Sequence, residues 1–457
     1  MEEGEVFSVE AGLAAYETGR FDFSLKILLE AAPNLRSRRE FGQLALCLGR
    51  IGEIYLIKKN LEEAKKYLAE ALTFFRAEKN DEEEGRCRVS IAEIFYEKKE
   101  HKKARAQYEQ VLAYLTKKLE REQMAPVLSR IAETYRIEGD LVRGLIYLKK
   151  AVIILKELDD RPGIAEKLSA IAGLLRKQEQ SYTALGYYRE ALEIYLCLED
   201  DLNAAETFSA IGEISEEVGN GSAARSHYES ALNLYKKNNQ IEKMVGVLNK
   251  IGLSYKKIGD YCRAQKYFEE SLFLCNRVGL VSSKASTLLN MGENLSIQGD
   301  YDNARSCAEE ALLIFRENRE TQGIASSLFT VGKAYYGMGA ELHALRYLRE
   351  SLLMLKWGDE KEQKTECLYL IAEIYRSRGG AAEASRYYQG WLSLDPPSPS
   401  NDPNRRTRIE EFLKQNKVES DPFTIPSEEL SPLSEEESPS PSLSSPSSLS
   451  LSYDDIE

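Results

Sequence analysis

Glutamate occupies one position of a pattern that recurs every forty residues, and its type and spacing suit ligand binding better than those of any other residue here. The column holds Glu53, Glu93, Glu133, Glu213, Glu293 and Glu373, with Gly173, Leu253 and Lys333 at the three remaining places. Carboxylates accept strong, charge-assisted hydrogen bonds from arginine and lysine. These six residues, the column glutamates, therefore predict recognition of a basic or extended segment of another protein.

A second interpretation is that each column glutamate is a solvated helix residue that pairs locally. Side chains three positions apart on a helix are neighbours. Glu133 would then pair with Arg130 or Arg136, and Glu373 would pair with Arg376. The sequence leaves both interpretations open, so the three arginines join the glutamates as candidate site residues.

Catalytic and metal-binding chemistry find little support in this sequence. The three histidines, His101, His227 and His343, lie far apart, and none has a cysteine or histidine at metal-binding spacing. The glycines fall at helix crossings and turns and form no phosphate-binding loop. The sequence therefore predicts a protein with no catalytic residue, no cofactor and no metal.

Charge and composition limit the partners and the compartment. The net charge is −13, but ten acidic residues and no lysine or arginine lie between Val418 and Glu457, which leaves −3 for residues 1–417. A nucleic-acid binder needs a basic stripe that this chain lacks. Seven cysteines without a CxxC pair favour free thiols. With an acidic N-terminus and no apolar run long enough to span a membrane, the sequence predicts a cytoplasmic protein; it does not predict the oligomeric state.

The elements that position the column are predicted to be helical hairpins. The pattern of residues 51–75 returns in register from about residue 5 to residue 395, which gives ten units, and residues 5–35 form the first, slightly degenerate one. Small residues fill two columns: Gly52, Ala92, Ala132, Ala172, Gly212, Gly252, Gly292, Gly332 and Ala372, and then Ala64, Ala104, Gly144, Ala184, Ala224, Ala264, Ala304, Ala344 and Ala384. Small residues at fixed places among bulky ones predict two helices that cross at close range.

Spacing and turn chemistry give the approximate helix bounds. Large residues recur at intervals of three and four, as expected for one buried face of each helix. In the second unit, helix A is predicted at about 43–58 and helix B at about 61–77. Glycine followed by Asp or Asn, as at Gly259-Asp260, predicts a C-cap and then an N-cap between them. Pro126 and Pro162 are both predicted near the start of a helix A.

At these residues the chain resembles the tetratricopeptide repeat. The motif that carries the resemblance is seen in Leu128, Ile131, Ala132 and Tyr135 of one helix A, and in Ala224, Tyr228, Ala231 and Leu232 of one helix B. It covers about residues 5–395, and the six residues beyond the usual 34 are predicted to lengthen the helices and the turn between units. Residues 259–272 and 288–304 are similar to G-protein-signalling modulators of the Pins/LGN type. HEAT and armadillo repeats share the length but not the paired small columns.

The resemblance implies a position for the candidate site. In tetratricopeptide proteins the A helices line a concave groove that holds extended peptides, so the column glutamates would line that groove. Pins/LGN-type scaffolds commonly have asparagine there, and Asn249 and Asn290 lie in a neighbouring column. Glu and Ser stand where a carboxylate-clamp repeat has Lys and Asn, so a clamp is not expected. The Asp-Gln-Arg triplet of Gα-binding segments is absent from 408–417, so that activity is not transferred.

The C-terminal region differs from the repeats. Residues 396–403 form a proline-rich linker, and 404–417 are predicted to form a helix that caps the last unit, with Ile409, Phe412 and Leu413 on one side and Arg405, Arg406, Arg408 and Lys414 on the other. Residues 418–457 hold thirteen serines and six prolines, which predicts disorder. Candidate phosphorylation sites are Ser431, Ser438, Ser440 and Ser445, each before proline, and Ser434, before three glutamates.

The sequence thus predicts an all-α, right-handed superhelix of about ten tetratricopeptide-like hairpins over 1–395, followed by the linker, the capping helix and the tail. The predicted function is that of a non-catalytic adaptor whose groove holds a partner's peptide or helix. The alternative is a signalling regulator whose tail modulates partner binding under the control of phosphorylation. An accessory subunit that orders a catalytic partner remains a third hypothesis.

Overall fold

The computed structural model describes residues 9–355, 361–394, 402 and 404–416. All regular structure in these ranges is α-helix, distributed over 21 helices. The predicted all-α class is therefore confirmed. Contacts between residues divide the chain into two units, which separate between Val247 and Leu248. We refer to them as unit 1 and unit 2.

Unit 1 contains six helical hairpins and the start of a seventh. Its helices are α1 (Val9–Glu17), α2 (Phe21–Arg38), α3 (Phe41–Ile57), α4 (Leu61–Glu78), α5 (Asp81–Glu97), α6 (His101–Lys118), α7 (Arg121–Ile137), α8 (Leu141–Glu157), α9 (Arg161–Lys177), α10 (Ser181–Cys197), α11 (Asp201–Glu217) and α12 (Gly221–Lys237). The odd-numbered helices are the A helices and the even-numbered helices are the B helices of successive hairpins.

The division between the units falls inside α13 (Ile241–Lys257). The further helices of unit 2 are α14 (Tyr261–Val278), α15 (Val281–Gln298), α16 (Tyr301–Asn318), α17 (Thr321–Gly337), α18 (Glu341–Leu355), α19 (Lys361–Ser377), α20 (Ala381–Ser393) and α21 (Arg405–Gln415). The A and B alternation continues to α20, and α21 follows the last hairpin.

The turns inside the hairpins follow the predicted cap chemistry. Gly259 has a φ of 80°, in the left-handed region that glycine adopts without steric cost. The next residue, Asp260, accepts a hydrogen bond from the backbone N–H of Arg263 at 3.1 Å, which satisfies one of the free donors at the start of α14. Where no glycine is available, residues such as Lys59 and Glu179 take the positive φ instead. The predicted caps are confirmed.

The small columns mark close crossings between the two helices of a hairpin. A Cβ atom placed on Gly52 would lie 2.5 Å from Cγ of Leu68, and one on Gly292 would lie 3.1 Å from the carbonyl oxygen of Ala304. Ala64, in the second column, is completely buried. Because a larger side chain would force the helices apart, the small residues set the spacing of each hairpin.

Bulky residues fill the space around these crossings. Phe75 and Phe268 are completely buried, and burial of one such side chain contributes about 1.5–3 kcal/mol. Tyr55 stacks on Tyr67 within its own hairpin, with ring centroids 5.6 Å apart. Tyr135 stacks in the same way on Tyr147, at 5.6 Å. These aromatic rings therefore belong to the packing of the hairpins.

Three details differ from the sequence prediction. The helices α3 and α4 have 17 and 18 residues, and only Lys79 and Asn80 separate α4 from α5. The six residues by which this repeat exceeds the usual 34 therefore lie in the helices, and the turn between repeats is not lengthened. The first unit, predicted to end near residue 35, continues in α2 to Arg38. Pro126 lies inside α7 because that helix begins at Arg121, whereas Pro162 is in the first turn of α9.

Helix α21 packs against the last hairpin. Ile409 is buried, and the ring of Phe412 meets the ring of Tyr388 edge-on, with centroids 5.4 Å apart. Arg405 was expected on the polar side, but it is buried: its guanidinium lies 3.8 Å from the ring centroid of Tyr369 and donates to Glu366 at 2.7 Å. The reason is that residues 405 and 409 are four apart, and therefore share a helix face.

Within each unit, the A helices of successive hairpins contact one another. This is the case for α1 with α3 and α3 with α5 in unit 1, and for α15 with α17 and α17 with α19 in unit 2. Side chains on this A-helix face can therefore meet across neighbouring repeats. The predicted tail (418–457) with Ser431, Ser434, Ser438, Ser440 and Ser445 lies outside the described residues, as does most of the linker.

Candidate functional site

All six column glutamates lie on A helices and are partly buried. Four of them contact a side chain that lies 37 residues earlier, at the end of the preceding A helix. These contacts, which we call the ladder pairs, are Tyr16–Glu53, Tyr96–Glu133, Arg176–Glu213 and Lys256–Glu293. The Nζ atom of Lys256 is 2.7 Å from a carboxylate oxygen of Glu293. The ladder pairs therefore link successive repeats through polar contacts on the A-helix face.

Two arginines that have no column glutamate 37 residues later pair with a glutamate on their own helix. Arg136 would face residue 173, which is glycine, and it donates instead to Glu133 on its own helix at 2.6 Å. This hydrogen bond lowers the pKa of Glu133. Arg376 likewise pairs with Glu373 at 2.6 Å. Both contacts match the interpretation of local pairing, but Arg130 does not pair with Glu133.

Arg130 instead reaches the preceding A helix. Its Nε lies 2.9 Å from a carboxylate oxygen of Glu93, which also accepts a hydrogen bond from the hydroxyl of Tyr108 at 2.6 Å. Burial, and then Glu93, raises the pKa of Tyr108, so this hydroxyl remains a donor at physiological pH. Every column glutamate thus accepts from a cation or a phenol, and the column is not a row of uncompensated carboxylates.

Unit 1 has a cleft of 590 Å³ on its A-helix face, between α7 and α9. Three predicted site residues, Arg130, Glu133 and Arg136, line it. The absence of a side chain at Gly173 keeps its floor open, and the exposed Ala170 and Lys177 stand on the α9 wall. The cleft therefore offers both signs of charge beside apolar surface, a composition that suits an extended peptide.

Unit 2 has a cleft of 670 Å³ on the corresponding face, between α15, α17 and α19. Glu293 lines it, together with the exposed Ile297 and with Phe329. Lys333 stands in this cleft at the column position that is glutamate in six other repeats. The two clefts thus occupy equivalent faces but differ in the charge that the column supplies.

The other predicted site residues are more dispersed. Glu53 lines a cleft of 330 Å³ between α3, α5 and α7. Glu373 and Arg376 line one of 410 Å³ beside α21. Asn249 donates to the Thr287 hydroxyl at 2.9 Å, while its buried Oδ1 has no hydrogen-bond partner among the described residues. Asn290 is a partly buried residue of α15.

The sequence prediction missed a buried arginine near the N-terminus. Arg50 is 6% exposed and donates to Glu53 at 3.2 Å and to Glu83 at 2.9 Å. Tyr16 packs over it, and burial followed by the charge of Glu53 raises the pKa of Tyr16 to about 12. The column of Arg50 also holds Ser90, Arg130, Lys250 and Asn290, so residue type alone does not mark Arg50 as buried.

Histidines and cysteines do not converge on a site. His227 stacks on Phe208 and His343 on Tyr335, within their hairpins. Burial, and then Arg189, lowers the pKa of His227. Over the described ranges, no group of three or more His, Cys, Asp or Glu residues is placed to hold a metal ion. In the same ranges, no helix is long and apolar enough to cross a membrane.

The cysteines should differ sharply in reactivity. Burial raises the pKa of Cys47 to about 11 and that of Cys87 to about 12, whereas Cys197 and Cys262 are exposed. Because the thiolate is the nucleophile and the reagent must reach it, a disulfide reagent such as dithionitrobenzoate should modify the exposed Cys197 and Cys262 in the fast phase, at least about tenfold faster than Cys47 and Cys87. Mass spectrometry of the labelled peptides measures this.

The control for thiol labelling is the Cys197→Ser, Cys262→Ser double variant, which should lack the fast phase. The thiols of Cys47 and Cys87 have pKa values above those of the unfolded chain, so they should remain protonated and unreactive up to about pH 9 in the folded protein. Rapid labelling of either one at about pH 8 would contradict the packing described.

Each unit is a stack of helical hairpins that carries polar clefts on one face, the architecture of a protein-interaction scaffold. Residues 43–117 and 283–356 match the family model of the tetratricopeptide repeat. Residues 113–277 match that of the soluble NSF attachment protein, SNAP. These matches confirm the tetratricopeptide repeats that the sequence predicts. The closer resemblance to Pins/LGN-type proteins stays a prediction, and no curated protein matches the chain.

Solved structures share the fold at low sequence identity. One is a signal transduction ATPase with numerous domains, with a tetratricopeptide repeat sensor, from Pyrococcus horikoshii: TM-score 0.54, 15% identity, covering 77% of this chain and 55% of that chain. Aspartyl phosphate phosphatase F from Bacillus subtilis has a TM-score of 0.51 and 16% identity, and the match covers 76% of this chain and 94% of that chain. The apo form of the quorum sensor NprR from B. thuringiensis has a TM-score of 0.50 and 17% identity, and the match covers 84% of this chain and 100% of that chain. At these identities the likeness concerns the fold alone.

Proposed function

We propose that this protein is a non-catalytic adaptor whose A-helix face binds an extended segment of a partner protein. The observation that carries the proposal is the placement of a cleft with charged and apolar walls on that face in each unit, with a column glutamate in each wall. Hairpins packed on a buried core present such a surface already ordered. Binding then costs mainly the ordering of the ligand.

The chemistry of the ligand follows from the ladder pairs. A basic side chain of the ligand reaches a column glutamate by sharing it with, or displacing, the cation that already pairs with it. Glu133 and Glu293 are suited to this exchange because about a third of each side chain stays exposed, 32% and 35%. A segment with basic residues between polar or apolar ones therefore fits the groove better than a purely basic run.

The setting agrees with an intracellular adaptor. All seven cysteines are free thiols, as in proteins of a reducing compartment. On the A-helix face of unit 1, Arg130, Arg136 and Arg176 each pair with a carboxylate, so these cations do not form a basic stripe that would track a nucleic-acid backbone. We therefore place the protein in the cytoplasm, with other proteins as its partners.

A steric block of the unit 1 cleft tests this function. Ala170 is exposed in the cleft wall, so Ala170→Arg fills the cleft without entering the core. Partners captured by the full-length chain and identified by mass spectrometry should be lost, with affinity at least about tenfold weaker for any partner then purified. Ala113→Arg, at an exposed position of the B helix α6, is the matched control.

Glu133→Gln tests the charge of the ligand separately. It should weaken a partner with a basic segment, while Glu109→Gln on an exposed face of α6 should not. If neither Ala170→Arg nor Glu133→Gln changes any interaction, the A-helix face of unit 1 is not the binding site. The function then lies elsewhere on the array.

A further inference from the structure

One step of the ladder in unit 2 has a cation where the column glutamate would stand. Lys333 occupies the column position, and the residue 37 earlier is Ser296, so this step of the ladder has a cation and a hydroxyl but no carboxylate. Ser296 is only 4% exposed, and its Oγ has no hydrogen-bond partner among the described residues. Both residues line the unit 2 cleft. A buried hydroxyl without a partner is costly, so a ligand atom that pairs with it is favoured.

The remaining charges of this cleft leave it able to attract an anion. The carboxylate of Glu293 is matched by Lys256 at 2.7 Å, and that of Glu366 is matched by Arg405 at 2.7 Å. Lys333 and the exposed Lys361 form no ion pair with any residue in the described ranges, and Glu362 is the carboxylate that opposes them. The local balance is therefore positive, in contrast to the net charge of the whole chain.

Helix α21, the last described helix before the acidic tail, contacts the wall of this cleft. Helix α21 has 11 residues and is therefore about 16 Å long, and Arg405 at its start contacts Glu366 in the cleft wall. Residues 417–426 span up to about 33 Å when extended, which is about twice the length of that helix. The segment 427–438, with sequence SEELSPLSEEES, follows them and has five glutamates without a basic residue.

We propose that the unit 2 cleft binds this acidic segment, residues 427–438 of the same chain. A glutamate carboxylate of the segment accepts from the Nζ atom of Lys333 and from the Oγ atom of Ser296, which completes the missing step of the ladder. Lys361 at the rim attracts the neighbouring carboxylates. This inference rests on the A-helix face being a binding face, as proposed above, and adds an internal occupant for one cleft.

Such an occupant gives the tail a role in binding. While residues 427–438 lie in the unit 2 cleft, a partner segment has to displace them, whereas the unit 1 cleft is not affected directly. Phosphate groups on Ser431, Ser434 or Ser438 would add negative charge to the segment and strengthen its contact with the two lysines. The predicted phosphorylation sites would thereby adjust access to unit 2.

Zero-length cross-linking of the full-length chain tests this proposal. A carbodiimide joins a carboxylate to an amine that it touches, and mass spectrometry identifies the joined peptides. Glutamates 428, 429 and 435–437 should couple to Lys333 and Lys361 more than to Lys266, an exposed lysine of the B helix α14. Lys333→Gln should lower coupling at Lys361 about fivefold or more, and Lys266→Gln should not.

A mixture of ¹⁴N- and ¹⁵N-labelled chains distinguishes the source of the segment. Cross-links within one isotope support the proposal, while mixed-isotope cross-links assign the cleft to the tail of a second copy and overturn it. Equal coupling to Lys266 and Lys361, or no effect of Lys333→Gln, also overturns it. Because Ala170→Arg blocks only unit 1, failure of this inference is separable from failure of the adaptor function.

Discussion

Replacing Gly212 with leucine is expected to lower the free energy of unfolding of the α11–α12 hairpin by about 1–3 kcal/mol. A Cβ atom at this position would lie 2.5 Å from Cε1 of Tyr228, well inside contact distance. Tyr228 is only 2% exposed, so its ring has no free space into which it can move. The added side chain therefore separates the two helices and loosens the packing around them.

Gly186 provides the matched control because it lies in helix α10, and a Cβ atom added there would have no neighbouring atom within 4 Å. Gly186→Leu removes the backbone-entropy cost of glycine and should stabilise the helix by about 0.5–1 kcal/mol. Urea denaturation followed by circular dichroism measures both variants. Equal stability of Gly212→Leu and Gly186→Leu would show that the small column does not set the helix spacing.

The response to Gly212→Leu should be local. In repeat proteins each repeat contacts only its neighbours, so the loss of one interface lowers the stability of adjacent hairpins and leaves distant hairpins unchanged. Hydrogen exchange should therefore accelerate in α11 and α12 more than in α3 and α4. Uniform acceleration across unit 1 would indicate instead that its hairpins unfold as one block.

The fold could be predicted from the sequence because several independent signals have the same period. The columns of small residues, the stripe of bulky residues and the Gly-Asp turns all recur every forty residues. Together they place helix A of the second repeat within two residues of its observed start at Phe41. The length of the turn between repeats was mispredicted because the repeat period alone does not say whether the extra residues lengthen the helices or the loops. Only the observed helix lengths distinguish these possibilities.

The partners of the column glutamates could be predicted only in part. Sequence reasoning considers neighbours three or four apart on one helix, which found Arg136 for Glu133 and Arg376 for Glu373. It missed Arg176 for Glu213, because that contact crosses from one A helix to the next. The spacing of 37 residues is the repeat length minus three, so the signal was present but required knowledge that successive A helices touch.

Exceptions to a repeat pattern were harder to interpret than the pattern. In the sequence, Lys333 is only a departure from the glutamate column. In the structure, it lines the unit 2 cleft, where it can bind a carboxylate. The sequence could not show that Ser296 would be buried beside the same cleft without a hydrogen-bond partner among the described residues, since burial of a hydroxyl depends on how three A helices pack. The position that breaks the pattern is therefore the one that suggests a distinct ligand.

Ile409→Asp is expected to detach helix α21 from the last hairpin. Ile409 is 3% exposed, and loss of its burial costs about 2–5 kcal/mol before the cost of placing a charge there is added. Beyond Ile409, this helix contacts the last hairpin through Phe412 against Tyr388 and through Arg405 against Tyr369 and Glu366. Hydrogen exchange of α21 should approach that of an unfolded segment, and α19 and α20 should lose protection.

Gln415→Asp is the matched control for this change, because it adds the same charge at an exposed position of the same helix. A second readout is the fluorescence of Trp391, which is 1% exposed in the same core cluster, with Trp357→Phe introduced in all variants to remove the other tryptophan. Ile409→Asp should shift the Trp391 emission to longer wavelength, and Gln415→Asp should not. Unchanged emission together with unchanged exchange in Ile409→Asp would mean that α21 does not cap the array, because a docked helix cannot keep an aspartate carboxylate at a buried position without loss of protection.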